Sequence, residues 1–385
     1  MKTPWKTAAA CALAFASLST AQARTKLTTL PEREQVRVDL KNGAFTLVEE
    51  ERTVTLQAGR NLIDFAWANT AVDRDSIQFR EIRTPGAFAV LDTNYPPGEN
   101  ALTWEVSSEK AGPALIRISY LIANLNRTMS YEAVVEKEEG ALALECLMTL
   151  QNLSGESYRD ALFQLGTGKD YLRNLVQGES RRVLSARFAA VPVEKLFLCD
   201  ADQWGQEVRT VYRLMNDPKH ALGQFPLPGG KVRIFQKDSQ GTQAFLGEDW
   251  GAYTPLLKPM DLYVGQAKEV KVERFAFASR DLNRRGCVRD VEEVWKFQME
   301  NFKKDPVALR LMLHPAGTGQ WEVTKVVLKE EQGELDQKRE VEEPAEGVVA
   351  WERKDISNLE FTVKLPPTEK VKKNLYVTIL KKNQF

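Results

Sequence analysis

The sequence predicts an all-β protein built of several antiparallel, immunoglobulin-like β-sandwiches. Apolar and polar residues alternate from one end of the chain to the other, turn residues punctuate these runs, and no regular helical segments separate them. Ile63, Phe65 and Trp67 share one face, opposite Leu62, Asp64 and Ala66. Ile116, Ile118, Tyr120 and Ile122 repeat the pattern, followed by Val208, Thr210, Tyr212 and Leu214 and then by Trp295, Phe297 and Met299. Towards the end come Val307, Leu309, Leu311 and Leu313, then Leu359, Phe361, Val363 and Leu365. Between the runs lie Asn42-Gly43, Pro96-Pro97-Gly98, Ser239-Gln240-Gly241, Pro315-Ala316-Gly317 and Pro366-Pro367, all turn formers.

Residues 1–23 read as a secretory signal peptide. Lys2 and Lys6 precede the apolar run Ala8–Leu18, and Ala21-Gln22-Ala23 supplies the small-x-small cleavage pattern. That run is shorter than the roughly 20 residues a membrane span needs. Cys11 follows Ala8-Ala9-Ala10 with no upstream Leu, which argues against a lipoprotein. An exported protein, periplasmic or secreted, with no membrane span in the mature chain, is therefore expected. Its domains are expected at residues 24–130, 131–280 and 281–385, the last cut resting on the polar, linker-like stretch from Asp281 to Gly286.

Of 385 residues, 53 are Lys or Arg and 53 are Asp or Glu. Loss of Lys2 and Lys6 leaves 51 bases against 53 acids, a net charge of −2. So even a balance argues against nucleic acid as the main partner, which requires a dense basic face. Three cysteines remain after the leader, and an odd number cannot pair completely. Cys146 alternates with Leu142, Leu144, Met148 and Leu150, which suits a buried free thiol. A Cys146–Cys199 bridge is the alternative in an oxidising compartment. The charged stretch 329–347 and the lysines at 370, 372, 373, 381 and 382 read as solvated segments and strand ends.

Catalytic material is scarce. There are two histidines, His220 in a loop after Asp217-Pro218-Lys219 and His314 at the end of a strand. Neither belongs to a metal-binding or nucleophile motif. Gly166-Thr-Gly168 lacks the third glycine of a dinucleotide loop. Asp200-Ala-Asp202 begins like a calcium loop, yet Val211 stands at the twelfth position, where an acid is required. No catalytic, cofactor-binding or metal-binding residue is therefore assigned, and no cofactor is expected. Asp73 with Asp75, or Glu248 with Asp249, would be the carboxylate pairs of a carbohydrate-active enzyme, the alternative reading. Trp104, Trp204, Trp250, Trp321 and Trp351 are candidates for sugar stacking, but core packing is expected for most of them, including Trp321 beside Val323 and Val327.

Several segments, taken in order, resemble a known family. They are Gly43–Arg52 continuing to Asp75-Ser-Ile77, Leu102-Thr-Trp104 with Ile118-Ser-Tyr120, Asn152-Leu-Ser-Gly155, and Leu227-Pro228-Gly-Gly230 leading into Val232–Phe235. Phe245-Leu-Gly247-Glu-Asp249 and Val264-Gly265 complete the set. Together they resemble the bacterial domain of unknown function 4139, or mucoidy inhibitor A-like, family. The chain departs from that pattern at Asn126–Tyr131, which has no Trp, and lacks the coiled-coil insertion of larger relatives. The resemblance implies an exported β-sandwich protein without established catalytic residues. The leading expectation is a non-enzymatic interaction module of the cell envelope, binding a protein or a glycan.

Overall fold

The computed structural model describes residues 26–384 apart from 43–44, 83–87, 168, 239, 316–319, 333–338, 344–347 and 369–371. Residues 1–23, expected as a signal peptide, lie outside the described residues, as does part of the charged stretch 329–347. The chain is almost entirely β and forms two compact units, one of residues up to 38 with 47–122, the other of 39–46 with 123–385. No helix among the described residues is long and apolar enough to cross a membrane.

The first unit contains β1 (Lys26–Thr29), β2 (Gln35–Asp39), β3 (Thr46–Leu56), β4 (Gly59–Ala66), β5 (Gln78–Glu81), β6 (Phe88–Asn94), β7 (Ala101–Ser108) and β8 (Gly112–Ile122). One sheet runs β1-β4-β7-β6, and in the other β2, β3, β8 and β5 lie side by side. Alternation decides which side chains meet between them. Phe65 of β4 lies 5.9 Å from both Trp104 of β7 and Tyr120 of β8, and Trp104 stacks on Phe79 of β5 at 4.5 Å. The acidic run of β3 divides by the same rule. Glu49 and Glu51 pair with Arg117, and Glu49 also with Arg37. Glu50 is fully buried and held between the guanidinium groups of Arg33 and Arg52. A carboxylate at such depth is tolerated only when its charge is matched.

The second unit begins with β9 (Leu125–Val135), β10 (Ala141–Asn152), β11 (Tyr158–Gln164), β12 (Tyr171–Leu175) and β13 (Ser180–Pro192). Then come β14 (Glu194–Asp200), the single helical turn α1 (Ala201–Trp204), β15 (Val208–Met215), β16 (Gly230–Lys237), β17 (Gln243–Gly251) and β18 (Pro259–Gln266). The last strands are β19 (Val270–Arg285), β20 (Val288–Asn301), β21 (Val307–Leu313), β22 (Trp321–Gln332), β23 (Arg339–Glu343), β24 (Val349–Arg353), β25 (Leu359–Leu365) and β26 (Lys373–Gln384). One sheet is ordered β13-β10-β9-β16-β17. Two more, β18-β15-β14-β21-β25-β24 and β19-β20-β26-β22-β23, face each other across a core of Phe197, Leu309, Leu311, Phe361, Phe297 and Val377 among others.

Three differences from the sequence reading have physical causes. The sheets are mixed, because β1–β4, β9–β16 and β14–β21 pair in parallel, and alternation does not encode a strand's partner. Asp281–Gly286, expected as a linker, is instead the distal end of the β19–β20 hairpin, so a single strand runs through the expected boundary at 280. The first unit closes at Ile122 because β9 pairs with β10, which draws the chain from Ala123 onward into the second unit.

The Leu227–Asp249 segments join strands closely. A Cβ at Gly230 would lie 2.3 Å from the carbonyl oxygen of Met129 on β9, and one at Gly247 would lie 2.7 Å from that of Val264 on β18. Asp249 accepts the backbone N–H of Tyr263 at 2.7 Å, and the Tyr131 hydroxyl donates to the carbonyl of Pro228.

Glu50→Gln leaves two guanidinium groups facing an uncharged amide, and is expected to destabilise the protein by about 3–5 kcal/mol. A urea midpoint equal to that of the wild type would contradict this. Gly230→Ala forces β9 and β16 apart, and a loss of roughly 2 kcal/mol or more is expected by thermal unfolding.

Candidate functional site

The second unit brings together side chains that are far apart in sequence. β14 ends at Asp200, whose carboxylate turns back to cap α1 by accepting the N–H groups of Asp202 and Gln203, each at 3.2 Å. This is the ordinary behaviour of Asp at a helix N-cap. Because β14 and β21 are parallel, their ends coincide, and His314 just beyond β21 reaches Asp200. Its Nε2 lies 2.9 Å from Asp200 Oδ2, and its Nδ1 contacts Asn358 Oδ1. The Asn358 amide in turn donates to Asp355. Asp202 forms a fork with Arg274 of β19, both contacts being 2.6 Å, and the Arg274 guanidinium lies 4.9 Å from the Trp295 ring centre.

With oxygen acceptors on both ring nitrogens, the doubly protonated imidazole is favoured. Burial opposes that charge, but the hydrogen bonds to Asp200 and Asn358 and the nearby carboxylates outweigh it, so the His314 pKa is raised. Arg274 holds the Asp202 carboxyl below its usual range. Ligand atoms of Asp200, Asp202 and His314 approach one another closely enough to hold a cation. The donor set nevertheless does not suit one, because Arg274 already occupies both Asp202 oxygens and His314 already occupies an Asp200 oxygen. The cluster is a neutralised ion network that fastens four parts of the fold.

Arg274 is partly buried at the base of an arm. From Phe275 to Ser279 every residue of β19 is exposed, and β19 is the edge of its sheet. Phe275 and Phe277 are 44% and 59% exposed, too much for core residues. Beyond them Arg280 pairs with Glu292, and Asp281 with Arg289. The free thiol Cys287 is exposed at the tip, while Cys146 and Cys199 are buried, unbridged, and pushed up to about 12 by burial. A second route leads from the His314 network along residues 353–358 to a recess of about 320 Å³. There the Arg353 guanidinium lies 4.0 Å from the ring centre of Trp321, and Trp321 Nε1 donates to Ile356 at 3.0 Å.

The sequence candidates lie in both units, and each carboxylate among them is engaged by a neighbour. Asp73 caps a short turn by accepting the N–H of Asp75, which itself lies beside Arg74. Glu248 is bound by Lys231 at 2.6 Å and by Arg233 at 3.2 Å, while Asp249 is spent on Tyr263. Trp104 is a core residue of the first unit. Trp321, expected in the core, is half-buried at the sandwich margin under Arg353; Trp204 is similarly covered by Arg209 at 4.0 Å. Trp250 and Trp351 are exposed. His220 is bonded to Asp217 within its own turn. His314 is at a strand end as expected, but its network was not foreseen, because its partners are 114 and 44 positions away and no local spacing reports them.

A raised histidine pKa has a definite sign in stability. The His314 contribution is fully present below the unfolded-state pKa of about 6.5 and is lost as pH rises through the higher folded value. The unfolding free-energy difference between wild type and His314→Gln should therefore be largest in mildly acidic buffer and shrink on going alkaline. Urea titrations across that range test it, and a difference that grows with pH would contradict the assigned protonation.

The chain matches no protein-family model and no curated protein.

Proposed function

We propose that the protein is an exported, non-enzymatic interaction module of the bacterial cell envelope, periplasmic or secreted, of the mucoidy inhibitor A-like kind, that binds an extended segment of a partner protein along β19. The observation that carries this reading is the uncharged stretch Phe275-Ala-Phe-Ala-Ser279 on a sixteen-residue edge strand. Edge strands are ordinarily protected by charge, proline or a covering element, because their outer backbone groups are unpaired. Here charge flanks the stretch at Lys271, Glu273 and Arg274 and again from Arg280, and the pairing with β20 shifts at Phe277, so the uncharged edge is five residues long. A partner strand would satisfy those backbone groups and cover the two phenylalanines, which is the logic of strand addition. Arg284 and Arg285 at the distal end favour an extended segment that carries acidic residues.

The state of the acids supports a binding role over the carbohydrate-active alternative. A glycosidase needs one carboxyl with a raised pKa to act as general acid. Asp202, Glu248 and Glu273 are each held below the usual range by Arg274, Lys231 and Lys271 respectively. The apolar run and cleavage pattern of residues 8–23 support export.

A photo-crosslinking residue placed at 277 is expected to capture a discrete envelope protein in cells. The same residue placed at Leu172, which is 58% exposed, should not. Phe277→Lys should reduce capture from a crosslinker at 279 by about tenfold or more, since it adds a charge to the pairing edge. Equal capture from positions 277 and 172, or none from either, would overturn the strand-addition reading.

A further inference from the structure

A second site lies in the second unit, on the opposite end of β14 from Asp200. Lys195 and Phe197 of β14, Thr210 of β15, Gln266 at the end of β18, Lys268 and Glu269 beyond it, and Lys303 after β20 surround a cavity of about 390 Å³. That volume is at the small end of those that accept metabolite-sized ligands.

The charges around the cavity do not balance. Lys195 is held by Glu139 from the β9–β10 turn, and the Tyr212 hydroxyl donates to the other oxygen of that carboxylate at 2.7 Å. Burial would raise the Glu139 pKa, but these hydrogen bonds and the charges of Lys195 and Lys303 keep it low, so it stays ionised. Lys303 is paired with Glu269 at 3.0 Å. Each carboxylate thus answers one lysine, and Lys268 has no acidic partner among the described residues. The Gln266 amide and the Thr210 hydroxyl are also without partners among them. The Phe197 ring, 5.8 Å from the Lys195 ammonium, supplies an apolar wall.

We propose that this cavity binds a small oxyanion, a carboxylate- or phosphate-bearing molecule of about monosaccharide size. One unanswered ammonium beside two paired ones gives a local positive excess where an anionic head can dock. Gln266 and Thr210 offer neutral partners to hydroxyl groups on the rest of the ligand, and Phe197 packs against its carbon skeleton. The ion pairs of Lys195 and Lys303 hold their ammonium groups in place before the anion arrives, which lowers the cost of ordering them. None of the arm residues of β19 lines the cavity, so the site stands or falls independently of strand addition.

Titration calorimetry of the full mature chain at low salt, with inorganic phosphate, with a hexuronic acid and with the corresponding neutral hexose, tests the assignment. At least one anion should bind and the neutral sugar should not. Tighter binding of the hexuronate identifies a carboxylated ligand, and tighter binding of phosphate identifies a phosphorylated one. Lys268→Glu should weaken the anion about tenfold or more, whereas Lys268→Arg should retain it. Lys268 makes no internal pair, so the thermal midpoints of both variants should match the wild type. Neither anion binding, binding of the neutral sugar with equal affinity, or anion binding that Lys268→Glu leaves unchanged would each overturn the proposal.

Discussion

A chain folded almost wholly into sheets must satisfy the backbone wherever a turn dips beneath the surface, and four buried asparagines meet that demand. Asn61, Asn152, Asn216 and Asn301 are each at most 1% exposed. Asn216 donates to the carbonyls of Phe225, Thr254 and Pro255 and accepts the N–H of Gly223, so one side chain closes two loops. Asn301 joins the carbonyls of Asp305 and Leu365 and accepts the N–H of Lys303. Asn152 does the same for Glu156, Leu175 and Ser154, and Asn61 for Gln57 and Gly59. An amide is suited to this because it offers donors and an acceptor without bringing charge into a low-dielectric interior. Asn301 also sets the loop from which Lys303 reaches its cavity.

Charge is treated in the opposite way, since nearly every buried or half-buried ionic group is matched. Glu50 lies between two arginines, Asp202 lies against Arg274, and Glu139 gathers Lys195 and Tyr212. The edges follow the same policy where they are charged. β23 reads Arg-Glu-Val-Glu-Glu, a sequence that repels a second strand. The segment Phe275–Ser279 of β19, in the same sheet, carries no charge, and only the register shift at Phe277 interrupts its edge.

Much of the fold was legible because one-sided burial imposes a period of two. The runs Ile116–Ile122, Val307–Leu313 and Leu359–Leu365 bury the residues that alternation selects. Asn152-Leu-Ser-Gly155 is the turn it was read to be, with Asn152 bonded to Ser154. Pairing was not legible, since a strand's own pattern is the same beside a parallel or an antiparallel neighbour. Nor was polarity a guide at Asp281–Gly286, because an exposed hairpin end and a linker have the same composition. Trp321 misled for a related reason. Alternation places a residue on a face, but does not say how near that face is to the margin of its sheet. The His314 network and the Lys268 cavity depend on side chains from several strands, and only the folded topology brings those together.

What remains uncommitted then becomes the guide to function. An acid or base used in catalysis must be free to change partners, yet His314 has both nitrogens engaged and Glu248 has two basic neighbours. Such groups hold the scaffold rigid. The groups left open are of another kind: an uncharged strand edge with two exposed phenylalanines, and an ammonium beside an amide and a hydroxyl in a small cavity. Each has room for a second molecule: Phe275 and Phe277 remain exposed, though Phe277 touches Tyr376, and Lys268 has no acidic partner among the described residues. A preformed edge and a preformed cavity would lose little conformational freedom on the associations proposed for them.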